Sequence, residues 1–136
     1  MTGMTIGEVA KQAAVCIDTL RYYERRGLVA KPPRTVSGYR AYPEETVRKV
    51  RFVKRAQELG FSLKEIKELL ALRTKPGTKS AAVRERASAK LTDIDEKIRS
   101  LRAMRKSLAK LVDSCSGCGP VESCSILGSL DEDRAR

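Results

Sequence analysis

Residues 5–28 read TIGEVAKQAAVCIDTLRYYERRGL, and this stretch decides the architecture. Thr5-Ile-Gly-Glu8 has capping-box spacing: the Thr5 hydroxyl can accept from the backbone while Glu8 reaches back. The spacing predicts a short helix through about Gln12, with Ile6, Val9 and Ala10 on one face. The AAVC that follows makes a tight turn, and Ile17 to Arg26 reads as a second helix. Gly27 stands where a helix often ends in the left-handed conformation. Two short helices joined by a brief turn, the second rich in arginine and tyrosine, form a helix-turn-helix pattern.

Charge strengthens that reading. The 136 residues carry 28 Lys and Arg against 17 Asp and Glu, a formal +11. Between Arg21 and Arg55 eleven basic residues face only three acidic ones, Glu24, Glu44 and Glu45, so +8 of the excess lies there. A polyanionic partner follows, and nucleic acid comes first.

Other function classes fall away. Histidine is absent, which removes His-based acid–base catalysis and His-rich metal sites. No Ser-Lys pairing, glycine-rich phosphate loop or carboxylate constellation stands out, so an enzyme is not expected. No apolar run approaches the roughly 20 residues that span a bilayer, and no secretory signal opens the chain. The cytosol is the expected compartment, and thiols stay reduced there.

Beyond Gly27 the pattern changes. In LVAKPPRTVSGYRAY, residues 28–42, Pro32 and Pro33 forbid helix and Ser37-Gly38 signals a turn between short β-prone stretches. A small hairpin wing carrying Lys31, Arg34 and Arg40 fits. Pro43 suits a helix start, and Glu44 and Glu45 complement its dipole. Val47, Val50, Phe52, Val53, Ala56 and Leu59 make its apolar stripe, and Gly60 ends it. Ser62-Leu-Lys-Glu65 is a second capping box, opening a helix through about Leu72 with Leu63, Ile66, Leu69 and Leu70 inward. RTKPGTK then reads as a hinge.

From Ser80 to Val112 there is neither proline nor glycine. Ala87, Leu91, Ile94, Ile98, Leu101, Leu108 and Val112 follow alternating four- and three-residue steps, interrupted at Arg105. This is a heptad seam over more than three repeats. A small domain cannot bury so long a stripe, so a partner helix and a two-fold homodimer are expected. Three of the four cysteines then crowd into SCSGCGPVESCS, residues 114–125. Disulfide partners, inert thiols and metal ligands are the alternatives, and a reducing cytosol disfavours the first. Cys16 stands apart and reads as a small, semi-buried residue beside the second helix.

The fragments TLRYYERRGL, GYRAY and VRFVKRAQELGFSLKEI, followed by a long helix, resemble the MerR family of transcriptional regulators in order and spacing, from about residue 4 to residue 130. The resemblance implies a mainly α fold: a winged helix-turn-helix DNA-binding domain, a long dimerisation helix forming an antiparallel coiled coil, and a short C-terminal metal-binding loop. The expected divisions are a DNA-binding domain with a second helix pair (1–73), a hinge (74–79), a dimerisation helix (80–112), an effector loop with a short helix (113–130) and a tail (131–136). The family activates promoters with an overlong spacer by bending and untwisting operator DNA, with RNA polymerase at the same promoter. Arg21 and Tyr23 fall where its recognition helix touches bases and phosphates, and Tyr39 and Arg40 fall at the wing. Arg34, Lys54 and Arg55 are expected phosphate contacts. A guanidinium suits phosphate or guanine edges, and a phenol can donate to phosphate. Tyr22, beside Tyr23, is expected to pack into the core.

The resemblance also bears on the cysteines. Metal-responsive members place two cysteines on a loop just after the dimerisation helix, here Cys115 and Cys124. Their usual third ligand, a cysteine at the start of the other subunit's dimerisation helix, is Ser80 here, as in copper(I)-responsive members. Two thiolates suit Cu(I), Ag(I) or Au(I). Ser80 also suits a plain helix N-cap. Against that, the eight residues between Cys115 and Cys124 resemble the divalent loop length. Cys118 could complete a trigonal set for Hg(II) or another divalent ion such as Zn(II), Cd(II) or Pb(II). A monovalent coinage metal is slightly favoured as effector. An iron–sulfur cluster would need four clustered cysteines. The remaining alternatives are a related regulator of a non-metal signal and a metal-buffering protein.

Overall fold

The structure, a computed structural model, describes residues 3–132. It divides into two compact units, residues 1–90 and 91–136. Of the tail expected at 131–136, residues 133–136 lie outside the described residues.

Helix α1 spans Ile6–Ala13, and its capping box is formed: Glu8 N–H donates to Thr5 Oγ1 at 3.1 Å and Thr5 N–H to Glu8 Oε1 at 2.8 Å. Ala14 then takes a left-handed conformation, φ 58°, which turns the chain sharply into α2, Ile17–Arg25. Gly27, φ 76°, ends that helix as its position suggests. Helix α3 runs Glu45–Glu58 and α4 Leu63–Thr74. The Ser62–Glu65 capping box opens α4, with bonds of 2.7 and 3.1 Å. Val9, Leu20, Val50, Val53 and Ile66 are fully buried among these four helices. Each such side chain is worth about 1.5–3 kcal/mol relative to exposure. Leu59, placed on the apolar stripe by its spacing, is instead half exposed.

The wing is thinner than a pair of strands. Among the described residues there is no extended strand, only isolated antiparallel bridges at Arg34–Arg40 and Met4–Tyr42. Pro32 and Pro33 lack backbone donors, and the turn at Ser37-Gly38 leaves few residues to pair. Thr35 N–H donates to Tyr39 O at 2.6 Å and Gly38 N–H to Thr35 O at 2.9 Å. The wing's base is firmer: Met4 and Tyr42 exchange backbone bonds of 2.9 and 2.8 Å, and the fully buried Tyr42 donates its hydroxyl to Glu24 of α2 at 2.6 Å.

Helix α5 is continuous over Ser80–Ser114. In the first unit its start is tied to α4: Arg86 meets Glu68 at 2.6 Å and Lys90 meets Glu65 at 2.9 Å. In the second unit, Leu91, Ile98, Leu101, Leu108 and Val112 are exposed along it, from 40% at Ile98 to 61% at Leu91 and Leu101. A single 3-10 turn, Val121–Ser123, leads into α6, Ser125–Asp131.

Candidate nucleic-acid interface and metal centre

In the first unit, α2 and the wing enclose an open groove of about 570 Å³. It gathers Arg21, Arg34, Tyr39 and Arg40, four of the expected DNA contacts, and adds Arg25 and Lys31. Arg25 lies four residues after Arg21 and therefore shares its helix face, a signal present in the sequence. Two cations also brace the wing: Arg34 donates to Gly38 O at 2.9 Å and Arg40 to Pro32 O at 2.8 Å. Tyr42 forms part of the groove wall. Its burial, first, and its bond to the Glu24 carboxylate, second, push the phenol up to about 12, against the pull of Arg40 and Arg21. It stays a neutral donor, and its bond engages the Glu24 carboxylate, the one acidic group lining the groove.

Lys54 and Arg55 do not line this groove. Lys54 donates to Ala14 O at 2.8 Å and Arg51 to Gln12 O at 2.8 Å, so α3 closes off the turn between α1 and α2. Arg55 is exposed and pairs with Glu58 at 3.3 Å.

Tyr22 and Tyr23 reverse the expectation. Tyr23 is 3% exposed and donates its hydroxyl to Gln57 Oε1 of α3 at 2.7 Å. Burial, then the Glu58 charge, raise its phenol above the ordinary value. Tyr22 is 39% exposed, with the Arg25 guanidinium 5.9 Å over its ring. Tyr23 falls three residues after Leu20, itself fully buried, so the helix turns it inward. Cys16 is also corrected, because its thiol is exposed. It lies 3.1 Å from Thr19 Oγ1, and the Thr19 hydroxyl and then the Thr19 amide hold it below the ordinary thiol value.

The second unit carries the other three thiols. Cys115 follows the end of α5 and Cys124 is the N-cap of α6, with their sulfurs 4.0 Å apart and both thiols free. The Ser114 and Ser125 hydroxyls, 3.0 Å apart, hold the two helix ends together beside them. Amides at the start of α6, Leu127 first and Ile126 next, hold the Cys124 thiol below its ordinary value, and Cys115 contributes further. A separation of 4.0 Å lies within the reach of one ion forming two metal–thiolate bonds of roughly 2.3 Å. Cys118 does not join them. Gly117 and Gly119 are both left-handed, at 79° and 92°, and leave Cys118 exposed between them. Among the described residues no three His, Cys, Asp or Glu side chains gather closely enough to hold one ion. The trigonal set considered from spacing is not gathered among the described residues.

The chain is similar to known proteins along most of its length. Residues 4–72 match the MerR HTH regulatory-protein family, and residues 47–111 match the MerR DNA-binding family. This chain belongs to the MerR family. The HTH-type transcriptional regulator HmrR of Rhizobium leguminosarum bv. viciae is 43% identical over 129 residues, covering 95% of this chain and 98% of the relative. The mercuric resistance operon regulatory protein of Pseudomonas fluorescens is 42% identical over 130 residues, covering 96% and 89%. Among solved structures, the transcription regulator PbrR691 of Ralstonia metallidurans CH34 in complex with lead(II) aligns with a TM-score of 0.83 at 33% identity. That alignment covers 93% of this chain and 98% of that one. MerR of Bacillus megaterium MB1 in complex with mercury(II) aligns with a TM-score of 0.72 at 34% identity, covering 95% and 100%. Like the MerR relatives, the protein is a DNA-binding transcriptional regulator and not an enzyme. No described helix is long and apolar enough to cross a membrane.

Proposed function

We propose that this MerR-family protein is a cytoplasmic, metal-responsive activator of a resistance or efflux promoter. The observation that carries the metal reading is the facing pair Cys115 and Cys124, 4.0 Å apart. A paired dithiolate on a turn between two helix ends is a seat for a soft cation. Relatives described as mercuric resistance regulators, and structural neighbours holding lead(II) and mercury(II), support the class of effector. Cu(I), Ag(I) or Au(I) is favoured, because two thiolates converge, Cys118 stands apart and the third family position is Ser80. Hg(II) or another divalent ion such as Zn(II), Cd(II) or Pb(II) is the second reading, supported by the loop length and by those neighbours.

The exposed stripe of α5 supports a homodimer, with two such helices paired as an antiparallel coiled coil. Two copies of the groove around Arg21, Arg34, Tyr39 and Arg40 would then read the two halves of a pseudo-palindromic promoter site. Tyr22 takes the exposed phenol position in place of Tyr23, while Lys54 and Arg55 supply flanking phosphate contacts. A bound ion would cross-link the end of α5 to the start of α6, and that change of state would be spent on distorting the DNA before RNA polymerase. The deciding experiment titrates the reduced dimer with Cu(I), Hg(II), Zn(II) and Cd(II) in competition and reads transcription. Activation first by Cu(I) supports the favoured reading, activation first by Hg(II), Zn(II) or Cd(II) supports the second, and no metal response removes both.

A further inference from the structure

The first unit holds a second basic cleft, of about 450 Å³, between the chain leaving α2 and helices α3 and α4. No residue lining it lines the groove between α2 and the wing. Its walls carry Arg48 and Lys49 of α3 with Lys67 and Arg73 of α4, against one carboxylate, Glu45. Leu28, Leu70 and Ala71 supply apolar surface between them. Among the described residues no ion pair engages Arg48, Lys49 or Lys67, and all three are exposed. Arg73 instead stacks over the Phe52 ring at 5.4 Å. Gly27, at the cleft's edge, has a φ of 76°, which favours glycine there, and the Lys67 ammonium lies close beside it.

The cleft is distinct from the groove that gathers the expected DNA contacts. A helix-turn-helix reads bases with the N-terminal residues of its second helix, whereas this cleft begins at Gly27, beyond the C-terminal end of α2. Four cations against one carboxylate repel one another and attract an anionic partner. The apolar surface between them gives a phosphate backbone nothing to bury, but it suits a side chain. From Lys67 to Thr74 the wall follows two turns of α4, about 10 Å, a length matched by a short helix with carboxylates and apolar anchors on one face.

We propose that this cleft docks an acidic, leucine-bearing helical segment of a second protein. Carboxylates of that segment sit on Arg48, Lys49, Lys67 and Arg73, and an apolar side chain sits against Leu28 and Leu70. The proposal does not depend on which metal is sensed.

The test uses the full-length dimer saturated with a DNA duplex that it has itself selected from a random pool, so that the reading groove is occupied. The probe is a fluorescein-labelled 16-residue helical peptide with glutamates on one face and leucines four residues apart between them, followed by anisotropy. The peptide should bind the wild-type complex, and Lys67→Glu or Arg48→Glu should weaken it at least tenfold. A peptide with serine for leucine should bind at least threefold more weakly. DNA affinity and its salt dependence should stay within twofold in both variants. Should a Glu variant fail to fold, Lys67→Gln and Arg48→Gln should still weaken the peptide about threefold. No peptide binding, or equal binding by wild type and variants, overturns the proposal. A loss of DNA affinity with a shallower salt slope also overturns it, by assigning the cleft to phosphate contacts.

Discussion

Lys90 Nζ lies 2.9 Å from Glu65 Oε1, the same oxygen that accepts the Ser62 amide at 2.7 Å where α4 begins. One carboxylate therefore caps α4 and anchors α5. The lysine stem is nearly buried, with its head 5.7 Å over the Phe61 ring. Lys90→Ala should cost about 2 kcal/mol, from lost packing of the stem together with the charged bond. Lys90→Met keeps the stem and should cost about half as much. Urea unfolding at fixed protomer concentration measures both, since dimerisation makes stability concentration-dependent. Equal losses would assign the effect to the charge alone.

The same carboxylate gives a pH dependence. The Ser62 amide, first, and Lys90, next, hold Glu65 at about 2, below its ordinary 4.5. The folded state thus favours the ionised form, and the stability Glu65 supplies is complete above pH 4.5 and lost as pH falls towards 2. Solvent reaches 41% of this side chain, so screening keeps the effect modest. Glu65→Gln preserves a capping acceptor and removes the titration. Its urea midpoint should fall less steeply than that of wild type between pH 4.5 and 2.

Tyr22 and Tyr23 separate stability from recognition. Tyr23→Phe keeps the ring in the core and removes only the bond to Gln57, so it should cost about 1 kcal/mol of stability and leave DNA affinity unchanged. Tyr22→Ala should do the opposite: stability within about 0.5 kcal/mol and DNA binding weaker by about tenfold, one lost polar contact. Thermal unfolding and DNA titration of the two variants check this directly. Weaker DNA binding in Tyr23→Phe alone would return the contact to Tyr23.

Much of the first unit was legible because its signals are local. Two capping boxes, the left-handed glycine at 27 and the wing's turn at Gly38 each depend on a few neighbouring residues. What escaped depends on distant partners or on helix phase. The inward turn of Tyr23 follows from its i, i+3 relation to Leu20, which outweighs its place beside basic residues. Lys90 reads as a solvated charge until Phe61 and Glu65, more than twenty residues earlier, are folded against it. For the cysteines, spacing leaves Cys118 level with the other two. In the fold Cys118 lies exposed between the left-handed Gly117 and Gly119, outside the facing pair.

That separation makes the thiols distinguishable by mutation. Cys115→Ser and Cys124→Ser each leave one thiolate, too few for tight binding of a soft ion, and should abolish metal-dependent transcription while DNA affinity is kept. Cys118→Ser removes an exposed thiol outside the facing pair and should leave the metal response within about twofold. Ser80→Cys adds a thiolate at the start of α5 and, on the proposed reading, should broaden the response towards Hg(II), Zn(II) and Cd(II). Transcription titrated with each metal in turn reads all four variants. If Cys118→Ser alone lost the response, the seat would be a trithiolate completed by rearrangement of the loop around Gly117 and Gly119. An unshifted Ser80→Cys would leave Ser80 only as the start of α5.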